Sequence, residues 1–170
     1  MISGIISLDD YLAAQRLHQG RLFRRALTLM AVLLLVGMPL LLFDSPDSIR
    51  SLIGGLLVGM GGGGLIGFPL LYKWKIPRKV RRLHAQQATL RHVITYAWDE
   101  DGLEVSWSGG RARRSWTDFI RYRESPQVLL LYHNDMLFDM VPTSWFVDAA
   151  QREAFRRLAS QVGTGAARAV

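Results

Sequence analysis

Apolar residues are distributed unevenly along this chain. Ala26 to Phe43 contains no charged residue and no Asn or Gln, and a second uncharged stretch runs from Leu52 to Tyr72. Crossing a hydrocarbon core takes roughly 17–25 residues of helix, and both runs reach that length. Pro39 lies near the far end of the first run, where it bends a helix without abolishing it. Between the runs, Asp44 to Ser51 holds the turn chemistry of Ser45-Pro46-Asp47. The pattern predicts a transmembrane hairpin over 26–72, with spans at 26–43 and 52–72. A buried soluble hairpin would need a larger core around it than 170 residues supply. A secretory signal is the wrong reading, because the apolar run is long, starts late and lacks a small-x-small cleavage site.

Residues 1–25 are polar and predict a helix. Ser7 reads as its N-cap, Asp9 and Asp10 complement the dipole of its first turn, and Leu8, Leu12 and Leu17 line one side. After a basic linker, 73–86, the pattern changes to short strands. Val93 to Trp98 is β-rich and Asp99-Glu100-Asp101-Gly102 is a turn. Leu103, Val105 and Trp107 alternate with Glu104, Ser106 and Ser108, as in a half-buried strand. Gly109-Gly110 fits a two-residue hairpin loop, with Arg111 to Trp116 as the returning strand. Phe119 to Arg123 continues after a corner. Val128 to Tyr132 is apolar throughout and so predicts a central strand; Met136 to Val141 follows, ended by Pro142. From Asp148 the period becomes helical, with Ala150, Ala154, Phe155, Leu158 and Val162 on one face. The domain over 87–162 is thus expected to be a small curled antiparallel sheet or open barrel closed by a C-terminal helix, with 163–170 as a flexible tail. The whole is an α+β membrane protein.

Charge sharpens this picture. The net charge is +7 and the pI about 10.4, which invites a nucleic-acid reading, yet the mean hydropathy is +0.12. The distribution resolves the conflict. Residues 1–25 carry +2, the loop at 44–51 carries −1, 73–82 carry +6, and 83–170 are neutral. The excess therefore flanks the spans, and nucleic acid is not an expected partner. Arg16, Arg21, Arg24 and Arg25 precede the first span, and Lys73, Lys75, Arg78, Lys79, Arg81 and Arg82 follow the second. The positive-inside rule then places both termini in the cytoplasm. The second cluster also offers electrostatic attraction to anionic lipid headgroups, about 1 kcal/mol per base near the surface. Tyr72 and Trp74 mark the interface.

Gly55, Gly59, Gly63 and Gly67 recur every four residues and leave one helix face bare, so another backbone can approach. Two readings stay open: packing on the first span, through Gly37, and self-association into a homo-oligomer. Gly59 to Gly64 spells G-x-G-x-x-G, but it lies in mid-span with no preceding strand and no acid about 20 residues on, so it is not a dinucleotide fingerprint. Arg111 and Arg113 share a strand face and Arg114 points the other way, with Arg121 and Arg123 nearby; a solvated edge is the simpler reading. His18, His84, His92 and His133 show no ligand spacing, and Asp99-Glu100-Asp101 lacks the alternation of a calcium loop. Trp98, Trp107, Trp116 and Trp145 sit at packing positions. With no cysteine, no nucleophile elbow and no cofactor motif, neither an enzymatic activity nor a cofactor nor a metal is expected.

The layout resembles the YcxB-like family of bacterial membrane proteins. The resemblance rests on Leu8, Asp10, Tyr11, Gln15 and Arg16 before the spans, on Asp101-Gly102-Leu103-Glu104-Val105, on Trp116-Thr117-Asp118-Phe119, and on Pro142 to Phe146. Phe119 followed by Ile120 departs from the Trp-x-acid-Ile pattern. The resemblance implies a pleckstrin-homology-like C-terminal fold and no activity. The expected function is an inner-membrane protein that presents a small cytoplasmic binding or regulatory domain to a lipid surface and a further protein partner. The alternative is a small oligomeric transport or channel component assembled through the glycine face.

Overall fold

The structure, a computed structural model, describes residues 1–86 and 92–162, leaving out the side chains of 79 and 82–86. It divides into two compact units, one of Met1–Leu17 with Val80–Val170, the other of His18–Lys79.

The second unit is a helical hairpin. Helix α1 runs over Leu8–Leu42 and α2 over Ile49–Gln86. The expected N-terminal helix and first span are one element, because nothing between Arg25 and Ala26 breaks a helix. The expected linker at 73–86 is likewise the end of α2, which continues through Pro69 and Pro77. Ser48 caps α2, its Oγ accepting the Ser51 N–H at 3.0 Å. Close approach comes from glycine. A Cβ on Gly54 would sit 2.7 Å from Leu41 N and 2.9 Å from Gly37 O, and one on Gly61 would sit 2.6 Å from both Leu34 N and Met30 O. Farther along, the Phe23 ring stacks on Phe68 at 5.4 Å and meets Tyr72 at 4.4 Å. Partners thus pair 41 with 54, 34 with 61 and 23 with 72, so the helices are antiparallel.

The first unit contains two antiparallel sheets and one helix. Strands β1 (Ile2–Gly4), β2 (Ile94–Trp98), β3 (Gly102–Trp107) and β4 (Gly110–Ser115) form one sheet in that order. Strands β5 (Arg121–Glu124), β6 (Val128–Tyr132) and β7 (Phe138–Pro142) form the other, with β6 central and buried along its length. The expected single curled sheet or barrel is corrected to two sheets. The chain leaves β4 through a capped 3₁₀ turn, in which Ser115 Oγ accepts from Thr117 N–H and Asp118 accepts from Ser115 N–H, so β5 starts a new ladder. The β3–β4 loop is Ser108-Gly109, one residue earlier than expected, since Trp107 pairs with Gly110.

Strand β1 is the largest departure from the pattern. It pairs with β2 as Ile2↔Tyr96 and Gly4↔Ile94, and Ile2 is buried in the core. A Cβ on Gly4 would lie 2.4 Å from the Trp145 ring, so only glycine lets this strand close. Ser7 then starts α1, donating N–H and Oγ–H to Asp10 and accepting Asp10 N–H. Helix α3 (Ala149–Ala159), capped by Asp148 at Gln151 N–H, covers the core with Phe155 and Ala159, and Val162 in the turn after it joins the same cluster. Its buried face is rotated from the expected one, and Ala150 and Ala154 are exposed. Phe155 is fully buried, with Trp98, Trp116 and Phe146 edge-on at 5.0–5.8 Å.

Candidate functional site

Alternation on the two sheets decides which side chains meet. On β4, Ala112 and Arg114 share the inner face, being paired with Val105 and Leu103. On β7, Asp139 pairs with the core residue Leu131 and so faces inward beside Val141. His133 follows β6 with the same parity. These three meet at one end of the inner layer. His133 Nε2 lies 2.9 Å from Asp139 Oδ2, and Arg114 Nη1 lies 3.0 Å from His133 Nδ1 and 2.6 Å from Nε2. The imidazole of His133 thus bridges the Arg114 guanidinium and the Asp139 carboxylate, with the donor and acceptor roles of its two nitrogens set by the tautomer. Phe119 packs on the imidazole at 4.7 Å. Nearby, Tyr96 donates its hydroxyl to the Met140 carbonyl at 3.1 Å. Burial, and next the Asp139 carboxylate, hold that hydroxyl protonated well above the usual tyrosine range.

Arg114 and Asp139 form the polar wall of a cavity of about 430 Å³, wholly within the first unit. Sheet residues Tyr96, Val105, Trp107 and Ala112 form one side, the β7 approach from Met136 to Met140 another, and Ile6, Tyr11 and Gln15 of the N-terminal segment a third. This is a mostly apolar concavity with a few convergent polar groups, the usual form of a small-molecule site. The sequence reading missed it, although the parity of Arg114 and the lone Asp139 in an apolar strand were its signals.

A second ionic cluster ties β5 to α3. Glu124 accepts from Arg152 Nη2 at 2.6 Å, from Arg156 Nε at 2.8 Å and Nη2 at 2.5 Å, and from the Tyr122 hydroxyl at 2.7 Å. Burial opposes ionisation of Glu124, but hydrogen bonds from Arg156, Tyr122 and Arg152 together outweigh it and hold the carboxyl at about 2. The same contacts raise Arg156 above its ordinary value, the bond to Glu124 first. This is a structural clasp.

Arg111, Arg113 and Arg121 are also engaged. Arg113 makes a two-oxygen pair with Asp99 at 2.9 and 2.7 Å, Arg111 reaches Glu104 at 3.5 Å, and Arg121 reaches Asp135 at 3.4 Å with its guanidinium 4.2 Å from the Tyr132 ring. The Asp99 carboxyl lies below its usual range, held first by the Arg113 hydrogen bond. Asp99 also accepts the N–H groups of Asp101 and Gly102, so the acidic turn organises itself.

Of the glycines singled out by spacing, Gly59, Gly63 and Gly67 have nothing within 4 Å of a Cβ position, and Gly55 meets only Leu41 Cδ1 at 3.9 Å. The contact between α1 and α2 uses Gly37, Gly54 and Gly61 instead. Lys73, Lys75, Arg78 and Arg81 are exposed, and the Arg78 guanidinium sits 3.8 Å from the centre of the Trp74 ring. The side chains of Lys79, Arg82 and His84, and residues 163–170, lie outside the described residues. Among the described residues, no three His, Asp or Glu side chains gather where they could hold a metal ion.

These features define an α+β protein with two helices long and apolar enough to span a membrane and a small two-sheet domain. Residues 98–159 match the family model described as YcxB-like protein, so this part of the chain is YcxB-like. The matched stretch runs from the end of β2 through α3 and holds three of the motifs that carried the resemblance; the motif at Leu8 to Arg16 lies before it. Comparisons with curated proteins and with solved structures find no match.

Proposed function

We propose that the chain is an integral inner-membrane protein, held by the α1–α2 hairpin, whose small cytoplasmic domain binds a ligand or partner at the membrane surface. One observation carries this reading. In the most apolar window of each long helix only 6% and 17% of residues are buried, and Leu35, Leu42, Leu52, Leu56, Ile66 and Leu70 face outward. Water would not tolerate such a continuous apolar surface, whereas lipid favours it. Two further features support it. Phe23 meets Tyr72, so Arg21, Arg24 and Arg25 lie at the same end of the hairpin as Lys73, Lys75 and Arg78, as the positive-inside rule requires of a cytoplasmic end. Strand β1 pairs with β2, so the segments before and after the hairpin share one side, which fits an even number of crossings. Four strands, then three, then a helix agrees with a pleckstrin-homology-like domain.

Reporter fusions test the reading. A cytoplasm-active reporter after Val170 is expected to work, and a periplasm-active one is expected to work only within 44–48. The reverse pattern would overturn it. A second reading, an oligomeric transport or channel component, is favoured by the open face of Gly59, Gly63 and Gly67. Solute flux through the purified chain in liposomes would select that reading.

A further inference from the structure

The geometry points to a ligand for the inner cavity: an uncharged small molecule with an apolar body and a head that presents a hydrogen-bond donor and acceptor side by side, as a carboxamide does. This deepens the binding role proposed above and rests on it. Among the described residues, Arg114 makes its side-chain contacts through Nη1 alone, and Asp139 through Oδ2 alone. Nε and Nη2 of Arg114 stay available as donors, and Oδ1 of Asp139 as an acceptor. Both side chains keep access, 38% and 23% exposed, and both line the cavity.

The Arg114 and Asp139 charges oppose one another across the His133 ring. An anionic head would meet Arg114 but also the Asp139 carboxylate, and a cationic head would meet the reverse. A neutral head with both functions satisfies each partner and brings no unpaired charge into a largely apolar space. The body is set by Tyr11, Val105, Trp107, Leu137 and Phe138. The cavity of about 430 Å³ lies within the ~300–1,000 Å³ of small-molecule sites. Trp107 and Met136 also line it and are exposed.

A matched series tests the head group. The full chain in lipid nanodiscs is titrated with 3-phenylpropanamide, 3-phenylpropanoate and 3-phenylpropylamine by saturation-transfer NMR, with empty nanodiscs as the reference. The amide is expected to bind in the about millimolar range suited to its size, at least about tenfold more tightly than either ion. Ala112→Leu, which fills the cavity, and Arg114→Met, which removes the donor, are each expected to weaken the amide about tenfold. Equal binding of the three probes, preference for an ion, or no amide binding overturns the inference. If Arg114→Met does not fold, the ranking on the unmodified chain and Ala112→Leu still decide. The reporter fusions fail or succeed independently, so loss of the ligand and loss of the membrane reading are separable.

Discussion

Replacing Glu124 with Gln keeps the shape of the β5–α3 clasp and removes the carboxylate that joins the two elements. The side chain is 20% exposed and accepts from Arg152, Arg156 and Tyr122. Its carboxyl falls from 4.5 to about 2 on folding. At 1.36 kcal/mol per unit that corresponds to about 3 kcal/mol. Arg152 and Arg156 are 30% and 39% exposed, so solvent screening reduces the contribution to about 2 kcal/mol. The folded pKa lies below the unfolded one. The stabilisation is therefore complete above about pH 5.5 and is lost as pH falls from 4.5 toward 2. Thermal unfolding of the full chain, followed by near-ultraviolet circular dichroism, should show Glu124→Gln melting about 10 °C below wild type at pH 7. The gap should hold from pH 8 to 6 and close on acidification. A gap below about 2 °C at pH 7, or one that persists unchanged at pH 3, would refute the clasp as a source of stability.

Other expected outcomes concern packing. Gly61→Leu, whose Cβ would fall 2.6 Å from the α1 backbone, should destabilise the hairpin by several kcal/mol, read as a lower melting temperature in detergent. Gly59→Leu with Gly63→Leu should leave that temperature unchanged and lower only the yield of crosslinked oligomer, and a loss of stability would refute the assignment of that face to the outside. Phe155→Ala should cost about 3–5 kcal/mol, measurable by denaturant titration. Gly4→Ala should cost about 1–3 kcal/mol and raise amide exchange in β1 and β2 while sparing β5–β7, checked by hydrogen exchange.

Much of this architecture was legible because it is written in local pattern. The uncharged runs mark α1 and α2, Ser7 and Asp148 mark helix starts, and the all-apolar Val128–Tyr132 marks a central strand. What escaped is non-local. Three residues, Ile2–Gly4, carry no periodicity of their own and become a strand only because β2 offers an edge ninety residues later. The division into two sheets depends on one capped turn at Ser115–Asp118. On α3, Ala150 and Ala154 fit the helical period, but sheet geometry selects Ala159 instead. The contact glycines escaped for a similar reason. The regular set at 55, 59, 63 and 67 drew attention by its spacing, while Gly54 and Gly61 are placed by the register of the partner helix. The cavity needed two strands and a loop to bring Arg114, His133 and Asp139 together, and each of these looks ordinary in its own segment.

The early position of β1 has a consequence for biogenesis. Its partner β2 leaves the ribosome only after the hairpin has been made. At about 5–20 residues per second, some 90 residues of delay leave Ile2 and its neighbours unpaired for about 5–20 s. If the hairpin spans the bilayer as proposed, both of its halves are delivered there during that interval, while the sheet still lacks its first edge. Under that proposed topology, assembly of the domain is expected to report completed insertion, because Ile2–Gly4 is captured only once the following chain has returned to its side.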